Sequence, residues 1–375
     1  MRVALVHEWL TTYAGSERVL AQLLQVFPQA DLFAVVDFLP PEHRAFLAGK
    51  PVHTSFLQHW PGARQHFRRY LPWMPLAIEQ LNLTGYDLVI SSHHAVAKGV
   101  LTGPDQLHLC YVHSPMRYAW DLQHQYLGDR PSSWPARWLL HQLRQWDRHS
   151  AQGVDAFAAN SQYIARRIAK CYRRPAQVIY PPVDVESFAL NTAPREPFYV
   201  TAARFVPYKR VDVVVEAFRQ WGDRPLVVIG DGPERAKIEQ HAGANIHFVG
   251  YQPPDRLAGF LQKAQAFVFA AEEDFGITVV EAQACGTPVI ALGRGGATET
   301  IGPDRTGLWF DEQTPASLLA TLRAFEEQRQ RHPERFTPEQ CRANALRFAP
   351  DRFRREIQQW VDRNWHTFQE GPLLP

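Results

Sequence analysis

The segment from Glu273 to Gly286 has the residue types that suit binding of a phosphorylated sugar. Glu273 and Glu281 stand eight residues apart, and each carboxylate can accept hydrogen bonds from sugar hydroxyl groups. An apolar run precedes the segment and Gly286 stops it, which predicts a strand, a turn and a helix. The first N–H groups of that helix would attract a phosphate. They belong to Phe275, Gly276 and Ile277. The alternative is a pair of surface acids that flank a buried helix.

A second loop carries charges that could neutralise a diphosphate. Arg204 and Lys209 lie five residues apart, with Pro207 between them, directly after an apolar run. The guanidinium group offers a planar fork for phosphate oxygens, and the ammonium group offers a compact charge. We therefore consider phosphate binding here, with a solvated basic loop as the alternative.

A third loop, Thr11–Arg18, joins an apolar run to a helical pattern. Gly15 would let the backbone approach a ligand closely, and Ser16 could cap the helix. The free N–H groups of the helix would then face an anion. Such a turn is also common where no ligand binds, so the alternative is an ordinary turn between a strand and a helix.

Short apolar runs alternate with helical periodicity along the whole chain, which predicts βαβ units and parallel sheets. The predicted strands are 3–6, 31–36, 87–91, 107–112, 155–159, 198–202, 226–229, 246–249, 266–270 and 288–292. The predicted helices are 17–27, 162–171, 211–221, 233–241, 256–264, 278–285, 316–325 and 352–365. Parallel sheets bind ligands at the carboxyl ends of their strands, which is where the three loops lie.

Length and charge both indicate two α/β domains, with a cleft between them. The chain has 375 residues, which is long for one hydrophobic core. Lys and Arg outnumber Asp and Glu by 18 to 12 in residues 1–183, whereas in residues 184–375 they number 22 against 26. The proline-rich stretch NTAPREP has little to bury. We predict domains at 1–183 and 198–350, a linker at 184–197 and a final helical segment at 351–375.

Composition excludes several classes of protein. With 45% hydrophobic and 21% charged residues, the chain is neither disordered nor fibrous. The net charge of +2 is too small to indicate a nucleic-acid partner. The sequence has no run of 18 uncharged apolar residues, and its N-terminus does not have the pattern of a signal peptide. Its four cysteines are widely spaced, so we expect reduced thiols in the cytoplasm rather than disulfides or a zinc site.

The motifs in these loops resemble those of a known protein family. The spacing of Glu273 and Glu281 matches the E-x7-E motif of retaining glycosyltransferases of the GT-B fold, and the surrounding EDFGITVVEAQACGTPVIA resembles glycosyltransferase family 4. The segments ARFVPYKRVD, IGDGP, HFVGYQPPDRL and PPVD follow in the family's order. YVHSPMRYAWD is especially similar to bacterial mannosyltransferases of surface polysaccharides. The resemblance implies two doubly wound, Rossmann-like domains that face a central cleft, the first on the acceptor side and the second binding the nucleotide sugar. It also implies that the final helix crosses back to the first domain.

The resemblance also implies a role for each matching residue. Glu281 would bind the nucleotide ribose, and Glu273 would bind hydroxyl groups of the donor sugar. Arg204 and Lys209 would neutralise the diphosphate, and His113 would lie beside the donor sugar and the acceptor. The remaining donor contacts would come from Gly15, from the backbone of Phe275, Gly276 and Ile277, and, at the base, from Tyr251 and Gln252.

Two departures from the family pattern concern the loops. Ala14 precedes Gly15 where relatives often have two glycines, and Ala203 stands where glycine usually precedes the arginine. Neither change removes a charged group. Because the sequence contains no Asp-x-Asp, the metal-binding carboxylates of the other major glycosyltransferase fold are absent, and we expect no metal and no cofactor.

The predicted function is transfer of a hexose, mannose from GDP-mannose, to a glycan or lipid-linked saccharide in surface polysaccharide synthesis. The alternatives are a UDP-hexose donor, an epimerase or hydrolase of the same fold, and a non-catalytic sugar-nucleotide-binding subunit of an assembly complex. The basic and aromatic segment Gly62–Trp73 could rest on an anionic membrane at its inner face, or it could be an ordinary surface helix.

Overall fold

The structure is a computed structural model that describes residues 1–127 and 133–371. It divides into two compact units. Unit 1 comprises residues 1–182 together with the chain from Phe353 onward, and unit 2 comprises Val183–Arg352. Residues 372–375 of the predicted final segment 351–375 lie outside the described residues.

Unit 1 contains a seven-stranded parallel sheet in the order β3-β2-β1-β4-β5-β6-β7. Its strands are β1 Val3–Leu10, β2 Asp31–Asp37, β3 Val52–Thr54, β4 Leu88–His93, β5 Leu107–Val112, β6 Ala156–Ala159 and β7 Gln177–Val178. The helices of its first 182 residues are α1 Gly15–Val26, α2 Ala63–His66, α3 Met74–Glu79, α4 Gln123–Leu127, α5 Trp134–Ser150 and α6 Gln162–Tyr172.

Unit 2 contains a six-stranded parallel sheet in the order β10-β9-β8-β11-β12-β13. Its strands are β8 Tyr199–Ala202, β9 Leu226–Ile229, β10 Ile246–Gly250, β11 Phe267–Phe269, β12 Val289–Leu292 and β13 Gly307–Phe310. Its helices are α7 Val211–Trp221, α8 Arg235–Glu239, α9 Pro254–Lys263, α10 Ile277–Ala284, α11 Ala297–Thr300, α12 Pro315–Arg331 and α13 Pro338–Leu346.

The central strands are mainly apolar because helices cover both faces of each sheet. Every residue of β5 and β12 is buried. In unit 2, the helices α7 and α12 pack beside each other on one face, where Phe218 and Phe325 join the core. This arrangement confirms the predicted class of two doubly wound, parallel α/β domains.

The stretch 184–197, predicted as a linker, packs within unit 2. Val185 and Phe188 are buried there, and the Arg342 guanidinium donates to their carbonyl oxygens at 2.6 and 2.9 Å. Arg195 donates to the carbonyl of Ala264 and to the hydroxyl of Thr287, both at 2.9 Å. Arg342 thus satisfies backbone carbonyls of this segment, which forms no strand or helix, and Arg195 bonds the segment to the rest of unit 2.

Helix α14, Pro350–Glu370, begins in unit 2 and belongs to unit 1 from Phe353 onward. Phe353, Ile357 and Trp360 lie in the unit 1 core, where the Phe353 ring lies 5.7 Å from that of Tyr111. Among the described residues, no helix is both long enough and apolar enough to cross a bilayer.

Candidate active site

The unit 2 sheet has a point where the strand order reverses. β8 lies between β9 and β11, so the chain leaves the carboxyl ends of β8 and β11 in opposite directions. Ligands of open parallel sheets bind in the crevice that such a reversal creates. The loops 203–210 and 270–276 begin there, and they hold Arg204, Lys209 and Glu273.

The structure brings Lys209 and Glu273 into an ion pair across this point. Their side chains are 15% and 19% exposed, so the pair is largely shielded from water. The ammonium nitrogen of Lys209 also lies 5.9 Å from the centre of the Phe269 ring and 5.5 Å from that of Tyr208. An incoming anion would meet this cation in a partly apolar setting, where charges attract more strongly than in water.

Close backbone packing holds Glu273 in place. A Cβ atom at Gly295 would lie 2.3 Å from the carbonyl oxygen of Glu273, and one at Gly296 would lie 2.3 Å from the Cα of Phe275. The N–H of Gly296 donates to the carbonyl of Glu273 at 2.7 Å. The loop after β12 therefore supports the loop after β11, and side chains at these glycines would push it away.

The loop after β8 is supported in the same way. A Cβ atom at Gly230 would lie 1.9 Å from the carbonyl oxygen of Ala203, and the N–H of Phe205 donates to the carbonyl of Asp231 at 2.9 Å. Between these contacts, the Arg204 side chain is exposed and makes no hydrogen bond or ion pair with any described residue. It is available to a ligand.

Helix α10 begins beside Glu273. Gly276 precedes it with a φ of +85°, a conformation that glycine adopts readily. Phe275 is buried and its ring lies 5.3 Å from that of Phe348, which anchors the start of the helix. Glu281 lies in the second turn and is only 4% exposed. Ile277, the first residue of the helix, is half-buried.

Tyr251 and Gln252, the predicted contacts with the base, directly follow β10. Tyr251 is 74% exposed, which leaves its ring available for stacking, and the Gln252 amide donates to the carbonyl of Val249 at 2.7 Å. β10 is the edge strand, two positions from β8. Tyr251 and Gln252 therefore lie at the carboxyl ends of the strands, as the pair of Lys209 and Glu273 does, but they follow the outermost strand of the sheet.

Unit 1 has its own reversal point, between β1 and β4. Gly15 follows β1 as the first residue of α1, and His113 directly follows β5. The Nε2 atom of His113 is 2.8 Å from the Ser92 hydroxyl, and its carbonyl accepts from the Asn160 amide at 2.9 Å. Both predicted residues thus lie at the carboxyl edge of this sheet.

Burial lowers the pKa of His113 well below its usual range, and the neighbouring imidazoles of His94 and His7 lower it further. Burial likewise lowers the pKa of His94 to about 4. His113 is therefore uncharged at neutral pH. It can exchange hydrogen bonds with hydroxyl groups but cannot serve as a cation for a diphosphate.

Sequence reasoning missed two acids in unit 1, Glu8 and Glu17. Glu8 is fully buried and accepts hydrogen bonds from four consecutive N–H groups, which belong to residues 94–97. Burial opposes its charge, but the bonds from His93 and the Val96 N–H prevail and hold its pKa far below the usual range. The available signal was the polar pair His7-Glu8 inside an apolar strand, VALVHEWL.

Within residues 1–127 and 133–371, no three His, Cys, Asp or Glu side chains form a group that could hold a metal ion. The four cysteines are buried and free.

Two family profiles match the chain. The profile of glycosyl transferases group 1 matches residues 183–344, and that of Glycosyltransferase Family 4 matches residues 13–187. Together they cover most of the chain, and their boundary falls where the two structural units meet in sequence.

Curated relatives include a D-inositol 3-phosphate glycosyltransferase of Jonesia denitrificans, 36% identical over 38% of this chain and 39% of that protein. A GDP-mannose-dependent alpha-(1-6)-phosphatidylinositol monomannoside mannosyltransferase of Mycobacterium tuberculosis is 30% identical over 46% of this chain and 53% of that protein. The chain thus spans about half or less of the length of these curated relatives.

Two solved structures share the fold over nearly the full chain. Anabaena Alr3699/HepE, in complex with UDP, has a TM-score of 0.71 at 16% identity and covers 97% of this chain and 100% of its own. Sucrose-phosphate synthase of Thermosynechococcus elongatus has a TM-score of 0.75 at 18% identity, covering 98% and 100%. At these identities the likeness concerns the fold alone.

The packing of Gly295 predicts that Gly295→Ala destabilises unit 2. The new methyl group would collide with the Glu273 carbonyl, and the φ of +65° is unfavourable for alanine. We expect a loss of roughly 1–3 kcal/mol in the free energy of unfolding, measured by chemical denaturation. The matched control is Gly259→Ala in α9, where a Cβ meets nothing within 4 Å and helix propensity improves by about 1 kcal/mol. A Gly295→Ala protein as stable as the wild type would contradict the packing argument.

Proposed function

Because the chain belongs to glycosyltransferase family 4, we propose that it transfers a hexose, mannose from GDP-mannose, to a glycan or lipid-linked saccharide during surface polysaccharide synthesis. The observation that supports this most is the ion pair of Lys209 and Glu273 at the reversal point of the unit 2 sheet. It joins a group that suits phosphate to a group that suits sugar hydroxyls.

In this proposal, Lys209 and Arg204 neutralise the diphosphate of the donor. The exposed Arg204 needs to break no existing bond, whereas Lys209 exchanges Glu273 for phosphate oxygens. The N–H groups at the start of α10 add the positive end of a helix dipole. Cleavage of the sugar–phosphate bond places charge on the leaving diphosphate, so fixed positive groups there lower the barrier. We propose that they act without a metal ion or cofactor.

Glu273, once separated from Lys209, accepts hydrogen bonds from hydroxyl groups of the donor sugar. Glu281 binds the ribose of the nucleotide, and Tyr251 and Gln252 contact its base. We propose transfer with retention of configuration by displacement on one face of the sugar. The leaving phosphate oxygen receives the proton of the acceptor hydroxyl, so no enzyme nucleophile is required.

For unit 1, we propose the roles that the resemblance implies. Gly15 approaches the diphosphate, and His113 contacts the transferred sugar and the acceptor. The neutral state of His113 agrees with hydrogen bonding to hydroxyl groups.

The names of the similar proteins differ in the nucleotide that they mention. The Mycobacterium tuberculosis relative is GDP-mannose-dependent by name, whereas the Anabaena structure contains UDP. A UDP-hexose donor is therefore the second candidate. A non-catalytic sugar-nucleotide-binding subunit is the third, and the presence of all four charged groups, Arg204, Lys209, Glu273 and Glu281, argues against it.

We also propose that the protein works in the cytoplasm, peripherally on the inner face of the membrane. The 62–76 surface supports this: Arg64, Arg68 and Arg69 are exposed, Trp73 is 51% exposed and Leu76 is 44% exposed. The structure forms this surface from α2, a 3-10 segment Phe67–Trp73 and α3 rather than from one regular helix. Basic residues attract anionic headgroups, and exposed apolar side chains can enter the interface.

Glu273→Gln tests the transfer proposal. The amide loses the charge that strengthens bonds from sugar hydroxyls, so transfer should fall by about 10- to 100-fold while GDP still binds. The assay follows labelled mannose from GDP-mannose onto a panel of free and lipid-linked oligosaccharides, with UDP-glucose run in parallel. The control is the exposed neighbour, Glu272→Gln.

Full transfer by Glu273→Gln would refute the role of Glu273. Transfer from UDP-glucose alone would retain the enzyme class and replace mannose. GDP or UDP binding without transfer from any donor would favour the non-catalytic subunit, and sugar release that needs no acceptor would favour a hydrolase.

The membrane proposal predicts binding of the protein to phosphatidylglycerol vesicles in a flotation assay. Replacing Arg64, Arg68 and Arg69 by alanine should weaken binding roughly 100-fold, since each basic residue contributes about 1 kcal/mol. The control replaces Arg256, Arg305 and Arg323, three exposed arginines of unit 2, and has the same change in net charge. Equal loss in both triple variants would show that net charge alone acts and would contradict the proposal.

A further inference from the structure

A chain of buried polar side chains in unit 1 runs from helix α1 to the end of strand β5. The Oε1 atom of Glu17 is 3.4 Å from Nε2 of His7, and Nδ1 of His7 is 3.1 Å from the Ser92 hydroxyl. That hydroxyl is in turn 2.8 Å from Nε2 of His113. Glu17, His7 and Ser92 are at most 3% exposed, so water does not compete for these bonds.

The two ends of the chain differ. At one end, the second oxygen of Glu17 accepts from the N–H of Ala14 at 2.9 Å and from the Ser16 hydroxyl at 3.0 Å. This leaves the first oxygen to His7. At the other end, Nδ1 of His113 has no hydrogen-bond partner among the described residues, and the side chain is half-buried. Nδ1 is therefore the ring atom that a ligand can reach.

The number of available protons fixes the direction of every bond in the chain. Burial opposes the charge of Glu17, but hydrogen bonds from His7 and the Ala14 N–H outweigh it and lower its pKa to about 2. A carboxylate can only accept, so Nε2 of His7 carries a proton and donates. When His7 is neutral, its imidazole has a single N–H, so its Nδ1 accepts from the Ser92 hydroxyl. Ser92 has then used its only proton and must accept from Nε2–H of His113.

We infer that Glu17, acting through His7 and Ser92, holds His113 in the Nε2–H tautomer, so that its Nδ1 accepts a hydrogen bond from a sugar hydroxyl of donor or acceptor. Glu17, His7 and Ser92 are positioning residues in this account. The tautomer is a property of the protein itself, whereas its use toward a sugar rests on the proposed function. The same Glu17 carboxylate also fixes the turn that contains Gly15.

Glu17→Gln should reverse the direction of the hydrogen bonds that link Glu17 to His113. The Ala14 N–H needs an acceptor, so the amide oxygen should take the position of Oε2 and the NH2 group should face His7. His7 would then accept at Nε2 and carry its proton on Nδ1, which donates to Ser92. Ser92 would donate to Nε2 of His113, and the His113 proton would move to Nδ1.

Ring nitrogen NMR of protein labelled with ¹⁵N-histidine tests this in the full chain without ligand. The spectrum is recorded at about pH 8, above the ordinary range of imidazole titration, and His113 is assigned by the signals that disappear in His113→Gln. We expect a protonated Nε2 and an unprotonated Nδ1 in the wild type and the reverse in Glu17→Gln. A wild-type protein with the proton on Nδ1, or an unchanged Glu17→Gln spectrum, would overturn the inference.

Ser92→Ala provides a second test that remains informative if Glu17→Gln fails to fold. Without the bridging hydroxyl, His113 should populate both tautomers. The kcat for transfer should fall about tenfold, with little change in KM for the donor, as expected for the loss of one hydrogen bond.

The control is Ser91→Ala, on the neighbouring residue of the same strand. The Ser91 hydroxyl is 2.9 Å from Nε2 of another buried imidazole, His108, so this variant removes a similar bond. Its spectrum should retain the His113 tautomer and its kcat should be unchanged. Equal losses of kcat in both variants would show general destabilisation and contradict the positioning role. A wild type that has the expected tautomer but transfers no sugar would refute the proposed function and leave the tautomer assignment intact.

Discussion

The close approach of two loop backbones in unit 2 is the constraint on which the candidate site depends. Gly295 and Gly296 lie against the backbone of Glu273 and Phe275 at distances that no side chain permits. That contact fixes the position of Glu273 in the loop after β11 and the position at which α10 starts. The backbone held in this way carries the Glu273 carboxylate that pairs with Lys209. Charge and shape at the site thus follow from glycines that perform no chemistry.

The loops at the carboxyl edges of the two sheets are held in place by different interactions. In unit 2, glycines allow backbone to pack on backbone at the carboxyl edge of the sheet. In unit 1, buried carboxylates hold the loops by hydrogen bonds. Glu8 accepts from the N–H groups of residues 94–97, and Glu17 accepts from the Ala14 N–H and from the His7 ring. Buried carboxylates are costly unless fully hydrogen-bonded, and both of these are.

The sequence predicted most of the fold because parallel strands buried on both faces are rich in apolar residues. The bounds of β5, α7 and β9 were predicted without error. The strands β3, β7 and β13 were missed, since runs of only two to four residues give little periodicity. The stretch 184–197, predicted as a linker, packs within unit 2. Proline content does not reveal that its own Arg195 bonds to Ala264 and Thr287, or that the distant Arg342 donates to the Val185 carbonyl.

For the candidate site, the sequence indicated which loops carry the charged residues, and the roles of those residues stay predictions. Loops at strand ends were recognisable from the motifs, and the structure pairs Lys209 with Glu273. The buried chain from Glu17 to His113 was not foreseeable, because its four members come from four separate segments. Only the fold brings them within hydrogen-bond distance.

The central claim is that the reversal point of the unit 2 sheet binds the diphosphate of a sugar nucleotide. Hydrogen–deuterium exchange with GDP and with UDP, in the presence of a metal chelator, tests it most directly. The account predicts that one of these nucleotides slows exchange in the loops 203–210 and 293–296 and at the start of α10. Protection confined to other segments, or no protection by either nucleotide, would contradict it.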